Sequence, residues 1–221
     1  MSKVTQDARR INLPEEKLLG DWIVCIPGFT LDKYRELQGS HLSILAYDCF
    51  GGMLSHLLGL PFFSPFVNLS FIQSKYFVQF LRDPHGYLEK NLIEQPSAKY
   101  KYPVAKMGNI SLHMMHYKIF EEAVDAWESR KSRINWNNLF VTMCTADKKD
   151  LEQFDVLPYD KKVCFVPFRS DLPSAWYINL EIDKYARDIA HTVRRFGEGR
   201  IFYYDPFDML LYGKKTPLID M

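Results

Sequence analysis

Four polar side chains at the ends of strand-like runs carry the chemistry this sequence could perform: Cys49, His116, Asp147 and Asp205. A thiol activated by an imidazole, itself oriented by a carboxylate, is the arrangement that nucleophilic acyl transfer requires. In that reading Cys49 is the nucleophile, His116 the general base, and Asp147 or Asp205 the orienting group. Cys49 stands in the turn Asp48-Cys49-Phe50-Gly51-Gly52, where a strand passes into a helix. The amides and dipole of a helix start favour a thiolate or a bound anion there. Asp48 is placed to cap that helix, the glycines permit positive φ or close backbone approach, and helix-start amides after Gly52 are candidates for stabilising an oxyanion. The competing reading makes Cys49 a buried turn residue and His116 a satisfied core histidine.

Substrate contacts are assigned to Asp48, Gly51, Gly52, Asn68, Arg130 and Arg133. The glycine pair is a weak anion signal, because it lacks the lysine or third glycine of the stronger phosphate loops. Arg130 and Arg133 close a helix whose first turn is acidic, which the helix dipole alone explains; anion binding is the other reading. No metal is expected. His113 and His116, three apart on a strand, point to opposite faces, and His41, His56, His85 and His191 have no ligand spacing and read as surface or helix residues. The four cysteines lack CxxC spacing, and Cys25, Cys144 and Cys164, in strand-like runs, read as reduced, buried and structural.

The elements that must position these groups follow from hydrophobic periodicity. Residues 41–47 form a short apolar strand, and Met53, Leu54, Leu57, Leu58 and Leu60 give the helix after it an apolar face. A strand over 67–71 and a helix through Tyr76, Phe77, Phe80 and Leu81 come next. Residues 102–107 and 110–117 pair as a hairpin over Gly108-Asn109. A helix over 120–134 precedes a strand at 139–143, a helix at 148–157 capped by Asp147, and a strand at 162–166. The remainder reads as a strand at 175–180, a helix at 183–196, a strand at 200–204 and a segment at 206–212. Strands alternating with helices predict an α/β fold, a three-layer sandwich with a mostly parallel or mixed central sheet and helices on both faces. Residues 1–40, with a polar start, a strand-like 22–26 and a helical run at 31–37, form an N-terminal extension packed on a single domain at 41–221.

The 28 basic and 27 acidic residues are interspersed, with net charge +1, so no nucleic-acid surface is expected. No apolar stretch approaches the roughly 20 residues that span a bilayer. The N-terminus lacks the apolar core of a signal peptide, so a cytoplasmic protein is expected.

The ordered series Asp48-Cys49-Phe50-Gly51-Gly52, Gly59-Leu60-Pro61, Ser64-Pro65-Phe66-Val67, Tyr102-Pro103-Val104 and Met114 to Tyr117 resembles the DUF1919 family of bacterial proteins. Glu121-Glu122-Ala123, Trp127-Glu128, Arg130-Lys131, Arg133-Ile134-Asn135-Trp136 and Asn138-Leu139-Phe140-Val141 extend the match, as do Phe154-Asp155, Leu157-Pro158 and Lys162-Val163-Cys164-Phe165. The resemblance covers residue 41 onward and implies an α/β fold and a setting among genes for capsule or exopolysaccharide biosynthesis. The family pattern at the turn reads Asn-Asn-Cys-Trp-Gly-Gly, so Tyr47, Asp48 and Phe50 depart from it while Cys49, Gly51 and Gly52 match.

Three functions are carried forward. The first is a transferase acting on a surface-polysaccharide precursor, a small-molecule or lipid-linked saccharide, by acyl transfer, with acyl-CoA as donor. The second is a glycosyltransferase or phosphotransferase, with Gly51-Gly52 and Arg130 or Arg133 on a diphosphate and Asp205 as base or metal ligand. The third is a non-catalytic carbohydrate-binding or assembly protein, suggested by the 15% aromatic content, although the aromatics fall mostly in apolar stripes. An oligomer is compatible with all three.

Overall fold

The computed structural model describes residues 21–185 and 187–220. The polar start of the extension lies outside the described residues. In chain order come α1 (Asp21–Val24), α2 (Leu31–Gly39), β1 (Ser43–Ala46), α3 (Phe50–Leu57), β2 (Ser70–Phe71), α4 (Ser74–Arg82), α5 (Pro84–Leu88), β3 (Leu92–Glu94), β4 (Val104–Met107) and β5 (Ile110–His113). They are followed by α6 (Phe120–Lys131), β6 (Leu139–Cys144), α7 (Lys148–Asp155), β7 (Lys162–Val166), β8 (Ala175–Tyr177), α8 (Ile189–Gly197) and α9 (Pro206–Tyr212).

A parallel sheet of order β1-β6-β7-β8 forms the centre. Its strands are apolar on both faces, as a sheet covered by helices on each side demands. Leu45, Val141, Met143, Cys164, Val166 and Ala175 face one core with α4, α6 and α7. The alternate residues Ile44, Ala46, Phe140, Cys144, Val163, Phe165 and Trp176 face the other core with α2, α3, α8 and α9. The expected α/β sandwich is therefore present.

A second, antiparallel sheet of order β2-β5-β4-β3 grows from the long connection between β1 and β6. Its hairpin turns over Gly108-Asn109 as expected, with Gly108 alone of the pair at positive φ, 61°. Phe71 N donates to Tyr47 O at 3.0 Å, which ties this sheet to the carboxyl end of β1. The Phe66 ring packs tilted against Phe80 (4.8 Å between ring centroids) and Phe71 edge-on against Phe77 (5.0 Å), so the junction is an aromatic core. Each such buried ring contributes about 1.5–3 kcal/mol through removal from water.

Four local expectations are corrected. Residues 22–26 are not a strand: α1 is helical, and the buried Ile23 in it and Ile26 in the turn just beyond it lie three apart, leaving Trp22, Val24 and Cys25 exposed. Cys25 is thus not a buried structural cysteine, whereas Cys144 and Cys164 are buried. The helix read at 183–196 begins only at Ile189, because Asp188 caps it by accepting from His191 N at 2.7 Å. Residues 200–204 make a single bridge, Tyr204 to Pro217, rather than a strand.

The close approach of α3 to β1 depends on Gly51. A Cβ there would lie 2.8 Å from both Ala46 Cβ and Ile44 Cγ2. Neither is the end of a flexible side chain, so the helix must move. Overpacking costs about 1–3 kcal/mol, which exceeds the roughly 1 kcal/mol of helix propensity that alanine adds over glycine. Gly51→Ala is expected to lower the urea midpoint accordingly, while Gly39→Ala, with nothing within 4 Å of its Cβ, is neutral or stabilising. A Gly51→Ala protein as stable as the parent would refute the close-packing account.

Candidate functional site

The site begins where β1 ends. Tyr47 N still donates to Thr142 O, in the manner of the sheet, at 2.9 Å, and then the chain turns. Asp48 Oδ1 accepts from Phe50 N at 3.0 Å, so Asp48 does cap α3, from one residue ahead of the N-cap position that Cys49 occupies. Met53 N donates to Cys49 O at 2.9 Å. The expectation of oxyanion donors after Gly52 is thereby corrected: the first-turn amides without a partner among the described residues are those of Gly51 and Gly52. The Cβ positions of these glycines are turned into the protein, Gly51 against β1 and Gly52 3.1 Å from Val67 Cγ1. Their role at this level is packing, and neither lines the open cleft.

Cys49 is 3% exposed, and its Sγ lies 3.4 Å from Nε2 of the exposed His116. Leu69 O is the other neighbour of the sulfur, at 3.8 Å. His116 reaches it because β5 pairs with β2, and β2 is held at Tyr47; Met114 N then donates to Pro103 O and the chain turns back at Tyr117. The thiolate expected from the helix dipole is not the resting state. Burial first, and then the charge of Asp48, push the Cys49 thiol up to about 12, with Arg194 acting in the opposite sense. At neutral pH the Cys49 side chain is a thiol.

The structure does not bring the predicted carboxylates to this pair. Asp147 caps α7, accepting from Lys149 N at 2.8 Å and Asp150 N at 3.3 Å. Asp205 caps α9 through Phe207 N (2.8 Å) and Asp208 N (3.1 Å) and is ion-paired with Lys33 at 3.1 Å. Both are helix caps, for which Asp is a preferred residue. Among the described residues no carboxylate is hydrogen-bonded to His116. Arg130 donates to Tyr117 Oη at 2.9 Å and lies over the Phe62 ring, and Arg133 folds back on Ser129 of its own helix. Asn68 adopts a positive φ of 64° in the loop before β2, outside the lining of the cleft. His113 points elsewhere, to Tyr102 Oη at 3.1 Å. No group of three or more His, Cys, Asp or Glu side chains suited to a metal ion is present among the described residues.

Cys49 and His116 instead open onto a cleft of about 430 Å³, with Met53 and Met115 beside them. The opposite wall is α8 and its exit, which supply His191, Arg194, Arg195, Glu198 and Arg200. Gly197 lets α8 approach α3: a Cβ there would meet Phe50 Cδ2 at 2.9 Å. The Phe50 and Phe196 rings pack at 5.6 Å in the same contact. These basic residues were not found by looking after strand ends, because they lie on a helix. The signal is present as His191, Arg194 and Arg195, whose spacings of three and four residues place both arginines beside His191 on one helical face.

The chain belongs to the family described as "Domain of unknown function (DUF1919)", which matches residues 24–212. The match begins inside the segment that the resemblance had left outside, and α2 in that segment is tied to the C-terminal helix by Lys33, which pairs with Asp208 at 2.6 Å. An uncharacterized protein of Haemophilus influenzae is 34% identical over 180 residues, covering 79% of this chain and 84% of that protein. No helix among the described residues is long and apolar enough to cross a membrane.

Asp48 generates a prediction. Burial raises its carboxyl from 3.8 to about 6, against the opposing effects of the Phe50 amide and Arg194. A carboxyl raised on folding favours the native state while protonated, below the unfolded value near 4, and loses that contribution as pH rises through about 6. Above pH 6 the buried charge costs about 3 kcal/mol. Asp48→Asn keeps the cap and removes the charge, so it should be more stable than the parent at pH 7.5, by up to that amount, with the difference gone at pH 4. Guanidinium unfolding at both pH values checks this. Removing the charge also makes the Cys49 thiol more acidic, so alkylation of Cys49 at pH 8 should accelerate. Equal stability at pH 7.5 would sink the assignment of a buried ionised carboxylate.

Proposed function

We propose that this protein is an acyltransferase that uses Cys49 as nucleophile and His116 as general base, acting on a precursor of a surface polysaccharide. The observation that supports it is the 3.4 Å approach of Sγ to Nε2 at the wall of an open cleft. The saccharide setting comes with the family resemblance and not from geometry.

A thiol pushed up to about 12 is a poor nucleophile unless its proton leaves as it attacks. Nε2 of His116 is positioned to take it. As the sulfur bonds to the carbonyl carbon of an acyl thioester such as acyl-CoA, the proton passes to the imidazole. The bond from carbon to the leaving sulfur breaks, the leaving thiolate is protonated by the imidazolium, and an acyl-Cys49 thioester remains. An acceptor hydroxyl then gives its proton to Nε2 and attacks the same carbon, the bond to Sγ breaks, and Cys49 recovers the proton.

A second reading, transfer of a glycosyl or phosphoryl group from a diphosphate donor, is favoured by the arginines of the opposite wall. It makes no demand on the sulfur.

Incubation with acetyl-CoA and longer acyl-CoA thioesters, followed by intact-mass spectrometry, separates the two. Acyl transfer predicts one acyl group on Cys49, no adduct in Cys49→Ser, and an acylation rate at least a hundredfold lower in His116→Ala, the scale of a lost general base. Turnover that persists in Cys49→Ala, with no adduct from any donor, would overturn it in favour of the second reading.

A further inference from the structure

We infer that the acyl acceptor is a sugar carried on a diphosphate, and that the diphosphate is held in a basic trough between Lys184 and Arg200. This rests on the acyl-transfer reading for what happens at the sulfur; the binding itself rests on the trough alone.

The cleft beside Cys49 adjoins a second cavity of about 450 Å³, and the two share His191, Arg195 and Arg200 as a common wall. They are two halves of one trough. Lys184 and Arg187 line the outer half and Arg194 the inner half. In a chain whose charges nearly balance, this is a local concentration of cations, and Glu198 is the one carboxylate among the lining residues. Arg200 is paired with Glu198 at 3.0 Å, and Arg195 with Asp183. Lys184, Arg187 and Arg194 have no carboxylate at ion-pair distance among the described residues.

Like charges gathered in a concave surface repel one another and focus potential on any anion that enters. Guanidinium groups bind phosphate oxygens through paired donors, which makes arginine the suited residue for this ligand. The cations without a carboxylate at ion-pair distance among the described residues lie in both halves, and Arg195 and Arg200, which are paired, line both. A single phosphate would satisfy one half and leave the other unmatched, whereas two linked phosphates satisfy both. A long polyanion is not indicated, since the chain as a whole has a net charge of only +1.

The position of Cys49 in the inner half then selects what the diphosphate carries. In a glycosyl diphosphate the sugar is attached directly to the phosphate, so phosphate at Arg194 puts sugar hydroxyls beside the sulfur. In coenzyme A a long pantetheine arm separates the thioester from the diphosphate, whereas Cys49 and Arg194 line the same half of the trough. The trough is accordingly assigned to the acceptor, which enters after the acyl donor has left. Such a diphosphate could be part of a nucleotide sugar or of a lipid-linked sugar; the trough recognises what the two share.

Binding is measured by calorimetry on the Cys49→Ser protein, so that a failed acyl transfer and a failed binding site are separate results. Pyrophosphate is expected to bind. UDP-glucose or farnesyl diphosphate should then bind at least tenfold more tightly than glucose 1-phosphate: the first result alone identifies a nucleotide carrier, the second alone a lipid carrier. Arg194→Gln and Arg187→Gln should each weaken pyrophosphate binding at least tenfold, with Arg130→Gln unchanged and circular dichroism confirming the fold of each. Finally, UDP-glucose at saturation should slow alkylation of Cys49 in the unmutated protein severalfold more than pyrophosphate does. Glucose 1-phosphate binding as tightly as the diphosphates, or Arg194→Gln binding pyrophosphate normally, would overturn the diphosphate site. Alkylation indifferent to bound UDP-glucose would overturn the placement of the sugar.

Discussion

Everything at the site depends on how tightly α3 is drawn onto the end of β1. A strand fully buried in a parallel sheet must end somewhere, and its next backbone groups need partners as the chain leaves the ladder. Tyr47 remains tied on both sides, donating to Thr142 and accepting from Phe71. Asp48 turns inward and satisfies the first amide of the helix. Gly51 then removes the side chain that would hold the helix off the sheet. With these contacts made, the Cys49 side chain has one environment, the gap beneath β2 and the segment after β5. The same bond from Phe71 to Tyr47 that anchors the antiparallel sheet is therefore what delivers His116 to the sulfur.

That arrangement leaves a buried carboxylate close to buried thiols, and the carboxylate raises both Cys49 and Cys144. Burial and Asp48 hold the Cys144 thiol well up, and Cys144 lies 3.9 Å from the Asp48 carboxylate. A neutral cap would do the packing work of Asp48 without the electrostatic cost, since Asn and Asp serve almost equally at helix starts. The consequence of an aspartate here falls on the acidity of Cys49.

Much of this fold was legible because its strands are short apolar runs between polar caps. The strand at Lys162–Val166 and the Asp147-capped helix after β6 are where periodicity and capping rules put them. The pairing of Cys49 with His116 was accessible in outline, since both follow strands, but its cause was not: it runs through β2, a strand of two residues whose sequence signal is slight. Segment 22–26 misled because an apolar run has no strand or helix identity without its neighbours, and here a short helix ends in a turn that buries Ile23 and Ile26 together. Asp147 and Asp205 misled for a different reason. A carboxylate after a strand and before a helix is compatible with catalysis and with capping, and only the positions of the amides at Lys149 and Phe207 decide between them. The arginines of α8 were hidden because their partner surface, α3, is far away in sequence.

Arg194 joins these arguments. It lines the cleft, and its charge also reaches inward, opposing the rise of both Asp48 and Cys49. Even with that favourable field the thiol stands at about 12, so a preformed thiolate is not the resting state. Under the acyl-transfer proposal, proton removal is therefore local and simultaneous with bond formation. Of the groups within reach of the sulfur, Leu69 O is a carbonyl that cannot take a proton, and His116 is the one that can. The exposure of that imidazole, beside a thiol almost wholly buried, then gives the proton a route to solvent that the sulfur itself lacks.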